Sequence, residues 1–592
     1  MTNNFGKSVL QLSWKQKKYD QRLALTIAQK IGVSEVLSKL LVLQNIALDK
    51  VDNFLHPTIK SVLPDPFLLL DMNEAVEKIV WAIKNQKKIV IFGDYDVDGA
   101  TSSALLKKFF KMVGLESKIY IPDRILEGYG PNTNALLKLK EEGADLVITV
   151  DCGTVAFEPL EAAKKAGLEI IVIDHHLGAT NKPEAIAVIN PNRLDENFEH
   201  KNLAAVGVSF LLAVAVNKVL REENFYVRQN LTEPKLLTLL DLVALGTVCD
   251  VVSLTGVNRA FVAQGLKVMK NRENIGLRTL CDVAGLSEEP SAYHLGFVVG
   301  PRINAGGRVG KSNLGAELLS LDDEEKAKEI AVMLHANNLQ RKDIEKKVLD
   351  EVVAEIQKNG LNNFPVIFIA KEGWHPGVIG IVASRIKELY NKPVAVIAIN
   401  DGIGKASCRS IYGVDFGSAL IKAKLAGLLK EGGGHAMAAG FSINAGKIKD
   451  LHEFLCAEML EAVTIFGGEA IKEFADILDI NSANLMLAKE VAMLEPYGAG
   501  NYKPKFLIKD LSIIKADIIG QDKKHVRCIF GSKNMAGWQS GLVGVAFGAM
   551  ENNIGQVLIN NKAKMINVVG QLNINSWMGN ESAQVIIEDV LV

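Results

Sequence analysis

The sequence predicts an α/β fold: two α/β domains joined by a long helix, followed by a C-terminal β-barrel. Three observations predict it. From residue 87 to about 255, continuous apolar strands alternate with helices, the pattern of a parallel sheet covered on both faces. Residues 323–358 are rich in Glu, Lys, Ala and Leu at helical period and contain no glycine or proline. Residues 470–592 break into short β-rich runs separated by turn residues, which suggests a small barrel or sandwich. A chain of 592 residues is too long for one hydrophobic core and calls for three or four domains.

The elements follow in order. Residues 1–70 read as helical packing material: 21–44 carry apolar positions at helical spacing, and Pro57, Pro64 and Pro66 end the segment. Residues 71–86 read as a helix with Asp71 as its N-cap. Strands are expected at 88–93, 118–122, 145–150, 169–173 and 186–189, and helices at 100–113, 132–142 and 158–166. In such sheets ligands bind beyond the carboxyl ends of the strands. Residues 235–254 form a nearly all-apolar helix, with Asp250 just past a glycine break. A second α/β unit has a strand at 365–370, a helix at 377–390, a strand at 393–399 and glycine-rich turns at 402–404 and 432–434. The last β runs are 505–515, 525–531, 542–548, 565–571 and 584–592. Domain boundaries are therefore expected at 1–70, 71–260, 261–360, 361–465 and 466–592.

Composition narrows the function classes. The chain is 48% hydrophobic and 23% charged with a net charge of −1, so any nucleic-acid binding has to come from local patches. Six cysteines without a CxxC pair argue against a disulfide framework or a thiolate zinc site and fit a reducing cytosol. No apolar run reaches the length of a membrane span, and no apolar stretch follows the N-terminal charge as in a secretory signal. A cytoplasmic monomer is expected.

The chemistry concentrates at strand ends. Residues 89–99 read Ile-Val-Ile-Phe-Gly-Asp-Tyr-Asp-Val-Asp-Gly. Three like charges within five residues raise one another's pKa unless cations neutralise them. Residues 146–151 end in Asp151, and residues 170–176 end in Asp174, His175 and His176. Carboxylates with one or two imidazoles suit Mg²⁺ or Mn²⁺ better than Zn²⁺ or copper. Asp94, Asp96, Asp98, Asp151, His175 and Asp250, with His176 adjacent, suffice for two ions. Such ions roughly 3.5–4 Å apart activate water and stabilise the attacking and leaving oxygens of phosphoryl transfer. Any one Asp could instead be a helix N-cap. A calcium loop is the other plain reading of Asp-x-Asp-x-Asp-Gly, but it needs a flanking helix and a Glu at its twelfth position; here a strand precedes it and that position is Leu105.

These residues carry a resemblance. Asp-Tyr-Asp-Val-Asp-Gly at 94–99, Val-Asp-Cys-Gly at 150–153, Asp-His-His at 174–176 and Gly-Thr-Val-Cys-Asp at 246–250 resemble, in order, the four motifs of the DHH phosphoesterase superfamily. Gly-Gly-Gly-His at 432–435 resembles its accessory DHHA1 domain. Pro-Arg-Ile-Asn-Ala-Gly-Gly-Arg at 301–308, the Gly-Trp-His-Pro-Gly-Val-Ile-Gly stretch at 373–385 and Leu-Glu-Pro-Tyr-Gly-Ala-Gly-Asn at 494–501 are similar to the RecJ family of single-strand-specific 5′→3′ DNA exonucleases, over nearly the whole chain. The resemblance implies DHH and DHHA1 domains and a C-terminal OB-fold. It makes Asp96, Asp98, Asp151, His175 and Asp250 metal ligands, with Asp94 either a ligand or a neighbour of one. It places His176 at the scissile phosphate as a donor or acid/base group and gives Asp174 the task of orienting a histidine. Attack on phosphorus in line would expel the 3′-oxygen and release a 5′-mononucleotide. Two departures stand out: Gly306, where the family has alanine, and Ser253, where it has proline and where the turn after Asp250 would be looser.

Phosphate grips are expected where arginine forks meet glycine turns. Arg124 precedes Gly128-Tyr129-Gly130, Arg302 and Arg308 flank Asn304 and Gly306-Gly307, and Ser407 and Arg409 share one strand. The plain reading of a lone arginine is a surface salt bridge. The resemblance implies that Arg124, Arg302, Ser407 and Arg409 hold substrate phosphates, some of them at the 5′ end; Tyr129, Arg308 and His435 complete the expected substrate set. In the β domain, one or two of Tyr497, Tyr502, Phe506, Phe530, Trp538, Phe547 and Trp577 would stack bases, with Lys523, Lys524 and His525 as an electrostatic rim. A single-strand-binding protein and a RecQ-type helicase are the partners the family implies, in recombination and repair. Two other readings exist. A DHH phosphodiesterase acting on short RNA or cyclic dinucleotides would be more compact than this chain. A non-catalytic DNA-binding replication scaffold would have lost several ligands, and here every motif is intact.

Overall fold

The computed structural model describes residues 7–124, 127–467, 471–531, 541–561 and 565–591; Trp538 lies outside them. The chain forms two compact units. One comprises residues 1–304, 312–332 and 471–592, and the other residues 305–311 and 333–470.

The first unit contains a five-stranded parallel sheet in the order Ser117–Tyr120, Ile89–Gly93, Leu146–Val150, Glu169–Ile173, Ala187–Ile189. Ile89–Gly93 and Leu146–Val150 are buried at every position, as continuous apolar runs require. Because all five strands run one way, the polar residues that end them share one edge. Asp71 departs from expectation. It precedes the helix Met72–Lys84 but does not cap it. Its carboxylate instead accepts hydrogen bonds from Lys182 Nζ (2.8 Å) and Val188 N (2.9 Å) and pairs with Arg193 (3.0 Å), a partner supplied by distant sequence. The expected glycine break at Gly246 is absent too: the helix Leu240–Cys249 runs through it.

The barrel belongs to this unit. Lys505–Ile519, His525–Gly531, Leu542–Ala546, Asn580–Leu591 and Met565–Trp577 pair in that order, and Met565–Trp577 pairs back with Lys505–Ile519 to close the ring. Three of these strands outrun the expected β segments: Lys505–Ile519 bends at irregularities between Ile508 and Leu511 and between Ile513 and Lys515 without ending, and Met565–Trp577 and Asn580–Leu591 extend by pairing with each other up to Trp577 and Asn580. Phe506 and Phe530 are core, whereas Tyr502, Phe547 and Trp577 are exposed. The expected basic rim is partly neutralised: Lys524 pairs with Glu551, and His525 lies 3.9 Å from Asp522.

The expected helical stretch at 21–44 is two helices, Gln21–Ile31 and Glu35–Leu43. They break at Gly32, whose φ of 75° is left-handed and suits glycine. Their apolar faces complete the barrel core: Ile27, Leu37 and Leu41 share one cluster with Phe506, Phe530 and Leu558. Ser13–Gln16 pairs in parallel with Ile471–Phe474, and Trp14 Nε1 donates to the buried Asp589 carboxylate (2.8 Å). Residues from the two ends of the chain thus fold together.

The 36-residue helix Glu324–Asn359 matches the expected connector. The second unit holds a five-stranded sheet in the order Glu431–Gly434, Ala438–Asn444, Ile403–Arg409, Val394–Asn400, Ile367–Glu372. Only the last two strands are parallel. Residues 432–434, expected as a turn, pair as a strand with Ala439–Phe441, and of the expected turn at 402–404 only Gly402 precedes a strand. Glycine-rich sequence weakens a strand but does not prevent one whose neighbour supplies the ladder. Among the described residues no helix is long and apolar enough to cross a membrane.

Candidate metal centre

The carboxyl edge of the parallel sheet gathers the predicted acids and histidines. Ile89–Gly93 delivers Asp94, which is 4% exposed. Asp96 caps the next helix, Val97–Met112, its Oδ1 accepting from Asp98 N (2.9 Å) and Gly99 N (3.2 Å). The N-cap reading and the ligand reading therefore coexist, since capping occupies one oxygen. Asp98 is buried and accepts from Ala205 N (2.6 Å) and Val206 N (2.8 Å), the first amides of the helix Ala205–Glu222, where the helix dipole favours an anion. Asp151 ends its strand at a φ of 62°, and Val251, beside Asp250, sits at 59°. A β-branched residue there is strained, a condition that clusters at functional sites.

His175 lies at the centre. Its Nε2 is 3.3 Å from Asp151, 3.5 Å from Asp250 and 3.9 Å from Asp98. Three overlapping triads bring their ligand atoms within 4.8 Å of one another: Asp98 with His175 and Asp250, Asp94 with Asp96 and Asp151, and Asp151 with His175 and His176. Asp94 Oδ1, Asp250 Oδ2 and His175 Nε2 are buried without a hydrogen-bond partner. Buried polar atoms are usually paired, and these three lie among the clustered ligand atoms of the triads, so they fit a divalent cation. Burial, and then the neighbouring carboxylates, push Asp94 up to about 8, Asp98 to about 7 and Asp250 to about 9, and raise Asp151 well above its usual range. Burial and the adjacent His176 lower His175 to about 4, leaving a neutral imidazole that can ligate.

Asp174 stands apart from this cluster. Burial would raise it, but hydrogen bonds from His176 and Thr154 hold it at about 2. It accepts from Thr154 N (3.0 Å), His175 N (2.7 Å) and His176 Nδ1 (2.8 Å). Burial opposes protonation of His176, and the Asp174 contact outweighs it and raises its pKa. Tyr129 donates to the Asp151 carbonyl (3.0 Å) and its ring meets His176 edge-on. Arg124 stacks over Tyr95 (4.8 Å), which in turn abuts Tyr129.

The other predicted residues divide. Arg302 is 9% exposed, and its Nη1 donates to Val298 O (2.6 Å), which ties it to the π-helical turn Leu295–Val299 that precedes its helix. Arg308, on the same helix but in the second unit, donates to Gly377 O (2.9 Å). Also in the second unit, Arg409 donates to Ser384 Oγ (3.1 Å) and Ser407 Oγ (3.2 Å) beside the first turn of the helix Ile379–Tyr390. His435 lies in the hairpin after Gly434, next to the Ala438–Arg409 pair. The turn after Asp250 is pinned despite Ser253, whose carbonyl accepts from Asn258 Nδ2 (3.0 Å) and Asn202 Nδ2 (3.2 Å).

Sequence reasoning missed several supports. Asn190 donates to Thr154 Oγ1 and His176 O, both 2.8 Å, and Asn192 donates to His175 O (2.6 Å). Two asparagines around a proline just past a parallel strand were the available signal. Tyr95 and Ser384 were hidden inside motifs noted for other residues.

Comparisons with known proteins agree with this geometry. Residues 88–247 match the DHH family N-terminal domain, 362–461 the DHHA1 domain and 476–589 the RecJ OB domain. The single-stranded-DNA-specific exonuclease RecJ of Bacillus subtilis is 31% identical, covering 98% of this chain and 71% of that protein. That of Haemophilus influenzae is 34% identical over 97% of this chain and 99% of the relative. The crystal structure of RecJ from Thermus thermophilus in complex with Mn²⁺ is similar at a TM-score of 0.79, with 27% identity, covering 98% of this chain and 79% of that one. The Mg²⁺ complex from the same organism gives 0.72, with 26% identity over 98% and 78%.

Proposed function

The chain belongs to the RecJ family of single-stranded-DNA-specific exonucleases, and we propose from that membership how its own residues act. It is a metal-dependent nuclease that hydrolyses single-stranded DNA in recombination and repair, working from the 5′ end and releasing 5′-mononucleotides. Its cofactor is Mn²⁺ or Mg²⁺, held as two ions. Asp98, His175 and Asp250 would hold one, and Asp94, Asp96 and Asp151 the other. The observation that carries this is the set of partnerless atoms, Asp94 Oδ1, Asp250 Oδ2 and His175 Nε2, in one acidic cluster.

Bound divalent ions supply Lewis-acid stabilisation of the attacking and leaving oxygens and acidify water. The chain does the rest. Asp174 fixes His176 through Nδ1, so Nε2 is the atom that meets the phosphate and holds or delivers a proton. Arg124, backed by Tyr95, neutralises phosphate charge. Arg409, Ser407 and the first turn of Ile379–Tyr390 form a phosphate cradle for the 5′ end, and Arg302, Arg308, Tyr129 and His435 complete the substrate set. A cytoplasmic monomer that meets a single-strand-binding protein and a RecQ-type helicase fits this role.

The test is Mn²⁺-dependent digestion of a single strand labelled separately at each end, with a blunt duplex and a short RNA alongside. Early mononucleotide release from the 5′ label with the duplex untouched is expected. Cleavage confined to the short RNA would overturn the substrate, and no cleavage at all would overturn the enzyme.

A further inference from the structure

We propose that the loop of residues 190–204 is a positioning frame for one of the two ions: it holds Asp98, His175 and Asp250 as a unit and leaves Asp94, Asp96 and Asp151 to the sheet. The proposal rests on the two-ion reading above and gives the loop's asparagines a role in metal affinity.

The two triads are built differently. Asp94 and Asp151 extend neighbouring strands that pair in register, Gly93 with Val150, and Asp96 follows Asp94 by two residues. The sheet itself therefore sets that triad. Asp98, His175 and Asp250 share no ladder. They come from the first turn of the helix Val97–Met112, from just past the strand Glu169–Ile173 and from the end of the helix Leu240–Cys249. Ligands on three unconnected elements need a further support, because a site works only when its groups are held to within about 0.5 Å.

The loop reaches all three. Residues 190–204 join Ala187–Ile189 to Ala205–Glu222 with no helix or strand of their own. A structureless connection of this length is uncommon in a compact domain and is usually functional. Asn192 Nδ2 donates to His175 O (2.6 Å) and to Lys201 O (3.0 Å), which clamps the histidine's backbone to the far end of the loop. The Leu203 backbone hydrogen-bonds the His175 ring, whose Nε2 stays without a partner and faces Asp151 and Asp250. A backbone hydrogen bond of this kind fixes the orientation of a ligating imidazole. Asn202 Nδ2 donates to Ser253 O (3.2 Å), in the turn after Asp250. The loop then runs directly into the amides of Ala205 and Val206, which hold Asp98. Among the described residues, none of the loop's side-chain hydrogen bonds goes to Asp94, Asp96 or Asp151.

The loop is braced from within. Glu196 is 4% exposed and accepts from Asn197 N (2.8 Å), Phe198 N (2.9 Å) and Leu70 N (2.9 Å). Arg193 Nη1 donates to Val188 O (2.7 Å). Loss of one asparagine contact is therefore felt by the triad the loop holds, and not by the triad the sheet holds.

The experiment titrates the full chain with Mn²⁺ by isothermal calorimetry. Asn192→Leu keeps a side chain branched at Cγ and removes the amide donor. In an Asp96→Asn background, which retains the Asp98 site, Asn192→Leu should weaken the remaining Mn²⁺ about 10–100-fold. In an Asp250→Asn background, which retains the other site, it should leave Mn²⁺ affinity unchanged. Asn202→Leu should repeat the pattern from the other end of the loop, so the result does not hang on one variant's folding, which the thermal midpoint in EDTA checks. Unchanged affinity in both backgrounds overturns the frame. Equal losses in both backgrounds overturn it too, since they show a general loosening. A wild type that binds fewer than two Mn²⁺ ions overturns the two-ion reading and the frame with it.

Discussion

At Asp174 and Asp98 the same residue type behaves in opposite ways, and the surroundings decide. Asp174 sits among donors and stays ionised at about 2, whereas Asp98 is pushed up to about 7 by burial and by Asp96. Asp174→Asn should therefore lower activity about 10–100-fold, the usual range for a residue that orients a ligand or catalytic histidine. It should also move the alkaline limb of the pH–rate profile to lower pH, because His176 acts while protonated and loses the carboxylate that raises its pKa; an unmoved limb would separate His176 from the chemistry. The metal-free cluster has the reverse sign. Asp94, Asp98 and Asp250 bind protons more tightly folded than unfolded, with folded values of about 7 to 9 against roughly 3.9 unfolded. Stability contributed by their protonation is complete below about pH 4 and is lost as pH rises toward 9. In EDTA the thermal midpoint should fall between pH 5.5 and 8.5, and Mn²⁺ should restore most of it at the upper end. A midpoint that rises with pH in EDTA would contradict the burial of these carboxylates.

At the scale of an element, the helix Leu240–Cys249 shows why a glycine can sit inside a helix without breaking it. A Cβ on Gly246 would lie 2.3 Å from Thr101 Oγ1, 2.7 Å from Val206 Cγ1 and 3.0 Å from Asp98 Oδ1. Glycine lets this helix approach the helix Val97–Met112 and bring Asp250 to His175. Gly246→Ala should cost about 1–3 kcal/mol in urea unfolding, as overpacking does, and should weaken Mn²⁺ binding. Wild-type stability with wild-type metal affinity would show that the contact is soft. On the sheet of the second unit, Arg409→Ala should reduce affinity for a 5′-phosphorylated strand more than for a 5′-hydroxyl strand, with metal binding unchanged. Equal losses for the two strands would remove its assigned role at the 5′ phosphate.

At the scale of the molecule, Arg259 joins three distant stretches of chain. The guanidinium is 1% exposed and donates to Phe54 O (2.8 Å), Leu494 O (2.9 Å), Glu495 O (2.7 Å) and Met493 O (3.4 Å), and it stacks on Phe54 at 3.9 Å. Burial lowers its pKa to about 10, so it stays charged at neutral pH. Arg259→Leu would strand several carbonyls and should destabilise the protein by about 3 kcal/mol or more. Removing residues 1–56 should do worse, because Ile27, Leu37 and Leu41 fill part of the barrel core. That truncated chain should bind ANS and lose barrel protection in hydrogen exchange; a native-like exchange pattern would show that the barrel closes its core alone.

Much of this was legible in the amino-acid sequence. The parallel sheet follows from unbroken apolar strands, the connector from thirty-odd residues of helical period, and the acidic cluster from polar residues abruptly ending buried runs. These are local patterns, and a parallel sheet with one crossover hand puts every such strand end on one edge. What pairs with what across long sequence separations was not legible. Asp71 met Lys182 and Arg193 instead of its own helix, glycines 432–434 became a strand because Ala439–Phe441 lay alongside, and the N-terminal helices covered a barrel more than four hundred residues away. Side-chain pairing and core sharing depend on which surfaces meet, and only the tertiary structure decides that.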